Sequence, residues 1–243
     1  MVREAIQHHS SYLDKSVDLI VYGHYGFSIM LFPAFSDDCG ESETEGLIEA
    51  IAPFINNGTC RVYALSGFLF ETWLDGSMKP EEKSKLHYQF NQFIEQELVP
   101  FIYYNNGGAV PIFTCGASNG AYLAANTYFR RPDIFLGTIA MSGKYNISHY
   151  SKDFFDDNCY FNSPSLFLVN LNDPYWLAFL RSRHHVYIMS GSGEGEQPHH
   201  TYDLAGILAT KEVPHQMCVW GPEYGHNYET WKKMLSQILR EKF

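Results

Sequence analysis

The chain has 243 residues, 45% hydrophobic and 18% charged, a composition that excludes a disordered chain and suffices for one α/β domain spanning 1–243 with a buried core. A formal net charge of -10, with no basic stripe, excludes a nucleic-acid partner bound through phosphate neutralisation. No apolar run approaches the ~20 residues of a membrane span, so no membrane partner is expected.

In chain order, VDLIVYG (17–23) alternates and is rich in branched residues, which predicts a strand. GFSIMLFPAF (26–35) is nearly all apolar, as expected of a buried strand ended by Pro33. EGLIEAIAPFI (45–55) has apolar residues at helical spacing, and CRVYALSG (60–67) reads as the next strand. The segment 79–104 opens with Pro80 and acidic residues, a good helix start. AVPIFTCG (109–116) is a strand followed by the helical NGAYLAANTYFRR (119–131). Further strands are expected at 137–143, 184–191 and 215–221, and helices at 200–211 and 228–242. Strands alternating with helices along the length predict an α/β fold, a mostly parallel sheet with helices on both faces.

The five cysteines (Cys39, Cys60, Cys115, Cys159, Cys218) are scattered and never form a C-x-x-C pair. The N-terminal MVREAIQHHSSYLDKS lacks the apolar core of a signal peptide. Reduced thiols in a cytoplasmic protein fit both observations, and NGT (57–59) and NIS (146–148) are read as coincidental matches to the glycosylation pattern.

TCGASNGAY (114–122) contains G-x-S-x-G between a predicted strand and a predicted helix. Such a turn lifts a serine above a sheet, and it needs small neighbours, here Gly116, Ala117 and Gly120. The competing reading is a Ser-Asn helix cap. A serine hydroxyl needs a base, and of eleven histidines most come in adjacent pairs or lack a zinc spacing, so no metal is expected. His226 is different: it lies in WGPEYGHNYETWKKML, after the last predicted strand and before the last helix, on the sheet edge that the serine shares. The acid should follow the strand HHVYIMSG, where SGEGEQP offers Glu194 and Glu196. Asp173, in VNLNDPYW, is the rival that chain position favours less.

With these residues in place, the sequence resembles the esterases of the α/β-hydrolase superfamily that include esterase D-like enzymes, feruloyl esterases, enterochelin esterase-like proteins and mycolyltransferases. The resemblance runs through VDLIVYGHYGFSIMLFP, GASNGAYLAANTYFRRPDIFLGTIAMSG, SGSGEGEQP and the closing G-H-N-x-x-x-W of the histidine loop. It implies a serine esterase without cofactor, acting on a small-molecule ester through an acyl-enzyme intermediate. Ser118 would be the nucleophile, His226 the base, and Glu196, placed as in relatives with a G-x-G-x-x-E loop, the orienting acid. The oxyanion hole would use the backbone N–H of Asn119 and one from the loop after MLF. Pro33 has no N–H, so Ala34 is the first candidate and Phe35 the second. Many relatives are glycine-rich where this chain has FPAFSDDCG, the feature that supports a non-catalytic binding module as an alternative. An acyltransferase on the same scaffold is the other.

Overall fold

Among the residues that the computed structural model describes, 1–151 and 153–243, eight strands join one sheet in the order β1-β2-β4-β3-β5-β6-β7-β8. They are β1 (Arg3–Ser10), β2 (Lys15–Tyr22), β3 (Phe27–Phe32), β4 (Cys60–Leu65), β5 (Ile112–Ala117), β6 (Gly137–Met141), β7 (His185–Ser190) and β8 (Gln216–Val219). The β1-β2 and β2-β4 pairs are antiparallel, and every pair from β4 through β3 to β8 is parallel.

The continuous apolar runs behave as a sheet covered on both faces requires. In β3, Met30 and Phe32 enter one core with Phe93, Ile102, Tyr122 and Tyr128 of the helices at Pro80–Asn105 and Asn119–Arg130. Ile29 and Leu31 enter the other, with Ile48, Trp231 and Leu235 of the short helix Leu47–Ala50 and the final helix Tyr228–Lys242. This is the α/β-hydrolase fold that the sequence resemblance implies. Among the described residues no helix is long and apolar enough to cross a membrane.

Two expectations need correction. The helix expected at 45–55 is broken into Leu47–Ala50 and Ala52–Asn56, preceded by Gly46 at φ 77 and interrupted at Ile51 before Pro53. The helix expected at 79–104 widens into a π turn at Ile94–Leu98. Pro100 supplies no N–H and its ring crowds the carbonyl four residues back, within that turn; widening relieves both. The apolar run before Asp173, SLFLV, belongs to a helix (Pro164–Asn170) and not to a strand.

What the sheet does for function is simple geometry. Because β3, β5, β6, β7 and β8 run parallel, the loops that leave them gather along one edge, the edge where doubly wound sheets bind ligands.

Candidate active site

Ser118 stands alone between β5 and the helix Asn119–Arg130, at φ 52 and ψ -118. Only glycine enters this backbone region easily, and holding another residue there costs roughly 1–3 kcal/mol. The turn is over-determined by its neighbours. The Ser118 N–H donates to Met141 O at 2.9 Å, and its carbonyl accepts from Ala121 and Tyr122 at 3.1 and 3.3 Å. A Cβ on Gly116 would sit 2.3 Å from Gly120 O, and one on Gly120 would sit 2.5 Å from Phe32 O. Both glycines are therefore fixed by close approach. The Ser118 side chain makes no capping bond, so the helix-cap reading fails. Its Oγ lies 2.8 Å from His226 Nε2.

His226 is held by its own backbone, whose N–H donates to Glu194 O at 2.9 Å. Its Nδ1 faces Glu196 Oε2 at 3.4 Å, longer than an ordinary N–H···O bond. The Glu196 side chain is 1% exposed and well supported. Ser142 Oγ donates to Glu196 Oε1 at 2.6 Å while accepting from Trp231 Nε1 at 3.0 Å. Ser190 Oγ lies 3.1 Å from Glu196 Oε2 and 2.8 Å from Gly191 O, so its single proton serves one at a time. Burial pushes the Glu196 carboxyl up, but hydrogen bonds from His226 and Ser142 outweigh it and hold the group below the ordinary glutamate value. With a proton on Nδ1 toward this carboxylate, Nε2 is left to accept from Ser118.

Ser118, His226 and Glu196 are thus brought together. The two rival acids are not. Glu194 is exposed and contributes its carbonyl; Asp173 is exposed, and its side chain caps the helix Pro174–Ser182 by accepting from Tyr175 N at 2.8 Å.

The loop after β3 departs from expectation. The Ala34 N–H, expected to complete an oxyanion hole, donates instead to Glu41 Oε1 at 2.9 Å. Phe35, the second candidate, donates to both Glu41 oxygens at 2.9 and 3.2 Å. The hydroxyls of Ser36 and Tyr228 also donate to this buried carboxylate. A carboxylate taken out of water requires several donors, and the backbone N–H groups of this loop are among those in reach. Asn119 keeps its place: its side chain donates to Ala34 O at 3.0 Å and accepts from Tyr150 Oη at 2.8 Å. Its backbone N–H is in the first turn of the helix, where such groups have no intrahelical acceptor and form the positive end of the dipole.

A cavity of about 270 Å³ opens beside these groups, lined in part by Ser118, Asn119, Lys144, Tyr150, Gln197 and His226. The aromatic residues that flank His226 in sequence do not form it. Trp231 is fully buried with its ring edge-on to His226 at 5.0 Å, and Tyr228 is buried against Glu41; Trp220 and Tyr224 pack on each other at 4.6 Å. Sequence reasoning missed Ser142, Ser190 and Glu41. The first two are strand-end serines next to the expected loops, and only their position after β6 and at the end of β7 could have drawn attention to them.

A family model described as Putative esterase matches residues 66–241. Among solved structures, a ferulic acid esterase matches with a TM-score of 0.76 at 16% identity, over 98% of this chain and 96% of its own. An S-formylglutathione hydrolase from Agrobacterium tumefaciens matches at 0.72 and 12% identity, over 98% and 93%. A fluorophosphonate-binding serine hydrolase of Staphylococcus aureus matches at 0.67 and 16%, over 98% and 97%. No curated protein sequence matches this chain. At these identities the structural likeness speaks for the fold.

Proposed function

The chain belongs to the putative esterase family, and from that premise we propose that it is a serine esterase of small-molecule esters, with Ser118, His226 and Glu196 as its catalytic triad. The observation that carries this reading is the 2.8 Å contact between Ser118 Oγ and His226 Nε2 at a strained strand-to-helix turn. Such a turn acts as a nucleophile elbow. Ser118 attacks the ester carbonyl as His226 takes its proton, and Glu196 stabilises the imidazolium. The proton then passes from His226 to the departing alcohol, leaving an acyl-enzyme. Water, deprotonated by the same histidine, releases the acid and restores Ser118.

The oxyanion is assigned to the backbone N–H of Asn119 and the helix end behind it. The Ala34 and Phe35 N–H groups serve Glu41 and are not counted. That commitment is the observation favouring the second reading, a binding module that has kept the fold. The chemistry needs no cofactor, and the free cysteines, three of them buried, fit a reducing, cytoplasmic setting.

The test is turnover of a short p-nitrophenyl ester by wild type, Ser118→Ala and His226→Ala. Both variants should fall by about 10⁴-fold or more. Comparable turnover in either variant would leave the binding-module reading in place.

A further inference from the structure

The wall of the site cavity carries a cation. Lys144 lines the same 270 Å³ space as Ser118 and His226, and it is only partly exposed. Among the described residues no carboxylate or other acceptor pairs with its ammonium. Lys79, Lys85, Arg240 and Lys242 also lack such a partner among the described residues, but none of them lines this cavity. Arg131 is held by Glu95 and Asp133, Arg3 by Glu43, and Lys83 by the carbonyls of Trp73 and Asp75.

Its backbone is also built in. Ser142 sits at φ 57, with its N–H bonded to Met189 O at 2.7 Å and its hydroxyl on Glu196. Gly143 is pressed against Ala121, to which an added Cβ would come within 2.8 Å. Tyr145 is buried, and its carbonyl accepts from both the N–H and the hydroxyl of Ser165. A lysine rooted between such neighbours has its backbone held at the cavity wall, and its flexible four-carbon stem sets how far the ammonium reaches.

The rest of the wall suits an anion. The described residues that line the cavity include no carboxylate, although acidic residues outnumber basic ones 27 to 17 in the chain. Glu196 lies behind the wall, its oxygens taken up by His226, Ser142 and Ser190. The lining also includes the Gln197 amide and the Tyr150 hydroxyl, which already donates to Asn119. Among the described lining residues Lys144 is the one permanent cation, beside neutral polar groups and the histidines His200 and His226, and a single such charge balances a monoanion. A phosphate dianion is better matched by more positive charge or a bidentate arginine, and the described lining has no arginine. The volume lies below the roughly 300–1,000 Å³ typical of drug-sized sites, so the ligand is small.

We infer that the cavity selects small esters that carry a free carboxylate, with Lys144 as the specificity-determining residue that reads it. The inference rests on the esterase reading for its chemistry but not for its binding.

The matched probes are mono-p-nitrophenyl succinate and its methyl-capped diester. Wild type should favour the acid by about tenfold or more in kcat/KM. Lys144→Met should bring that ratio close to unity, and Lys144→Arg should restore most of it. Because a ratio is insensitive to the folded fraction, partial misfolding does not obscure the result. A wild-type ratio at or below one, or a ratio that Lys144→Met leaves unchanged, would overturn the inference.

Calorimetry with monomethyl succinate on Ser118→Ala reads the same preference without turnover. Binding that weakens about tenfold in Ser118→Ala/Lys144→Met supports the site, and equal binding in the two proteins overturns it. Fluorophosphonate labelling keeps the two proposals apart. A labelled enzyme with no acid preference removes the carboxylate site alone. An unlabelled protein that binds the acid through Lys144 keeps the site and removes the esterase.

Discussion

Two buried glutamates flank the histidine end of this site, and they do different work. Glu196, after β7, faces His226 and takes hydroxyl support from Ser142 and Ser190. Glu41, after β3, is occupied by the N–H groups of Ala34 and Phe35 and the hydroxyls of Ser36 and Tyr228. Both carboxylates are satisfied, yet only one has a partner that titrates near neutral pH; the Tyr228 phenol on Glu41 is pushed far up by burial. An imidazole can gain and lose a proton near neutral pH, whereas amide N–H groups cannot. Burial and hydrogen bonding make a carboxylate stable in place; a titratable partner makes it available to chemistry.

The difference is sharpest on substitution. Glu196→Gln keeps the shape but loses the charge that steadies an imidazolium, so ester hydrolysis should fall by roughly 10³–10⁴-fold in steady-state assays. Its effect on melting temperature should be small by comparison. Glu41→Ala should do the reverse. It strands several donors, and a loss of about 2–4 kcal/mol is expected, read as a drop in Tm of roughly 5–15 °C. A Glu41→Ala enzyme that melts normally but has lost all turnover would break the distinction and return the β3 loop to the chemistry.

Acid titration gives a smaller, complementary effect. Because Glu196 is held below the ordinary glutamate value, its charged form stabilises the fold above the unfolded value of about 4.3. That contribution should be lost as pH falls from there through the lower folded value. Urea melts across that range should show a shallower acid limb in Glu196→Gln than in wild type, and identical limbs would show that the carboxylate has no such preference. The smallest effect is expected at Trp231→Phe. It removes the indole donor to Ser142 and leaves the Ser142–Glu196 bond, so turnover should change only a few-fold, within the roughly 0.5–1.5 kcal/mol of a single hydrogen bond.

The two glutamates also differ in how visible they are in the sequence. Ser118 and His226 could be read from motif and chain order, because a sharp turn demands small neighbours and the parallel sheet puts strand-end loops on one edge. Glu196 needed the family resemblance to be chosen over Glu194; what separates them in the structure is that Glu196 turns into the core while Glu194 stays exposed. Glu41 left no trace, since two of its partners are backbone N–H groups and any residue carries one. For the same reason Ala34 was misplaced: a sequence shows that an N–H exists but not which acceptor it finds.

The fold shows a similar division. β3 and β5 were legible because burial on both faces leaves a continuous apolar run. β1 was not, because REAIQHHS is an edge strand, mostly exposed and paired only with β2. The short helices between β6 and β7 were equally hidden, as brief segments with caps and prolines do not sustain a helical period.

The most direct test of the central claim is intact-mass analysis after treatment with a small fluorophosphonate, on folded wild type and on Ser118→Ala. An activated Ser118 predicts a single adduct on wild type and none on the variant. No adduct on folded wild type, or an adduct that survives in Ser118→Ala, would contradict it.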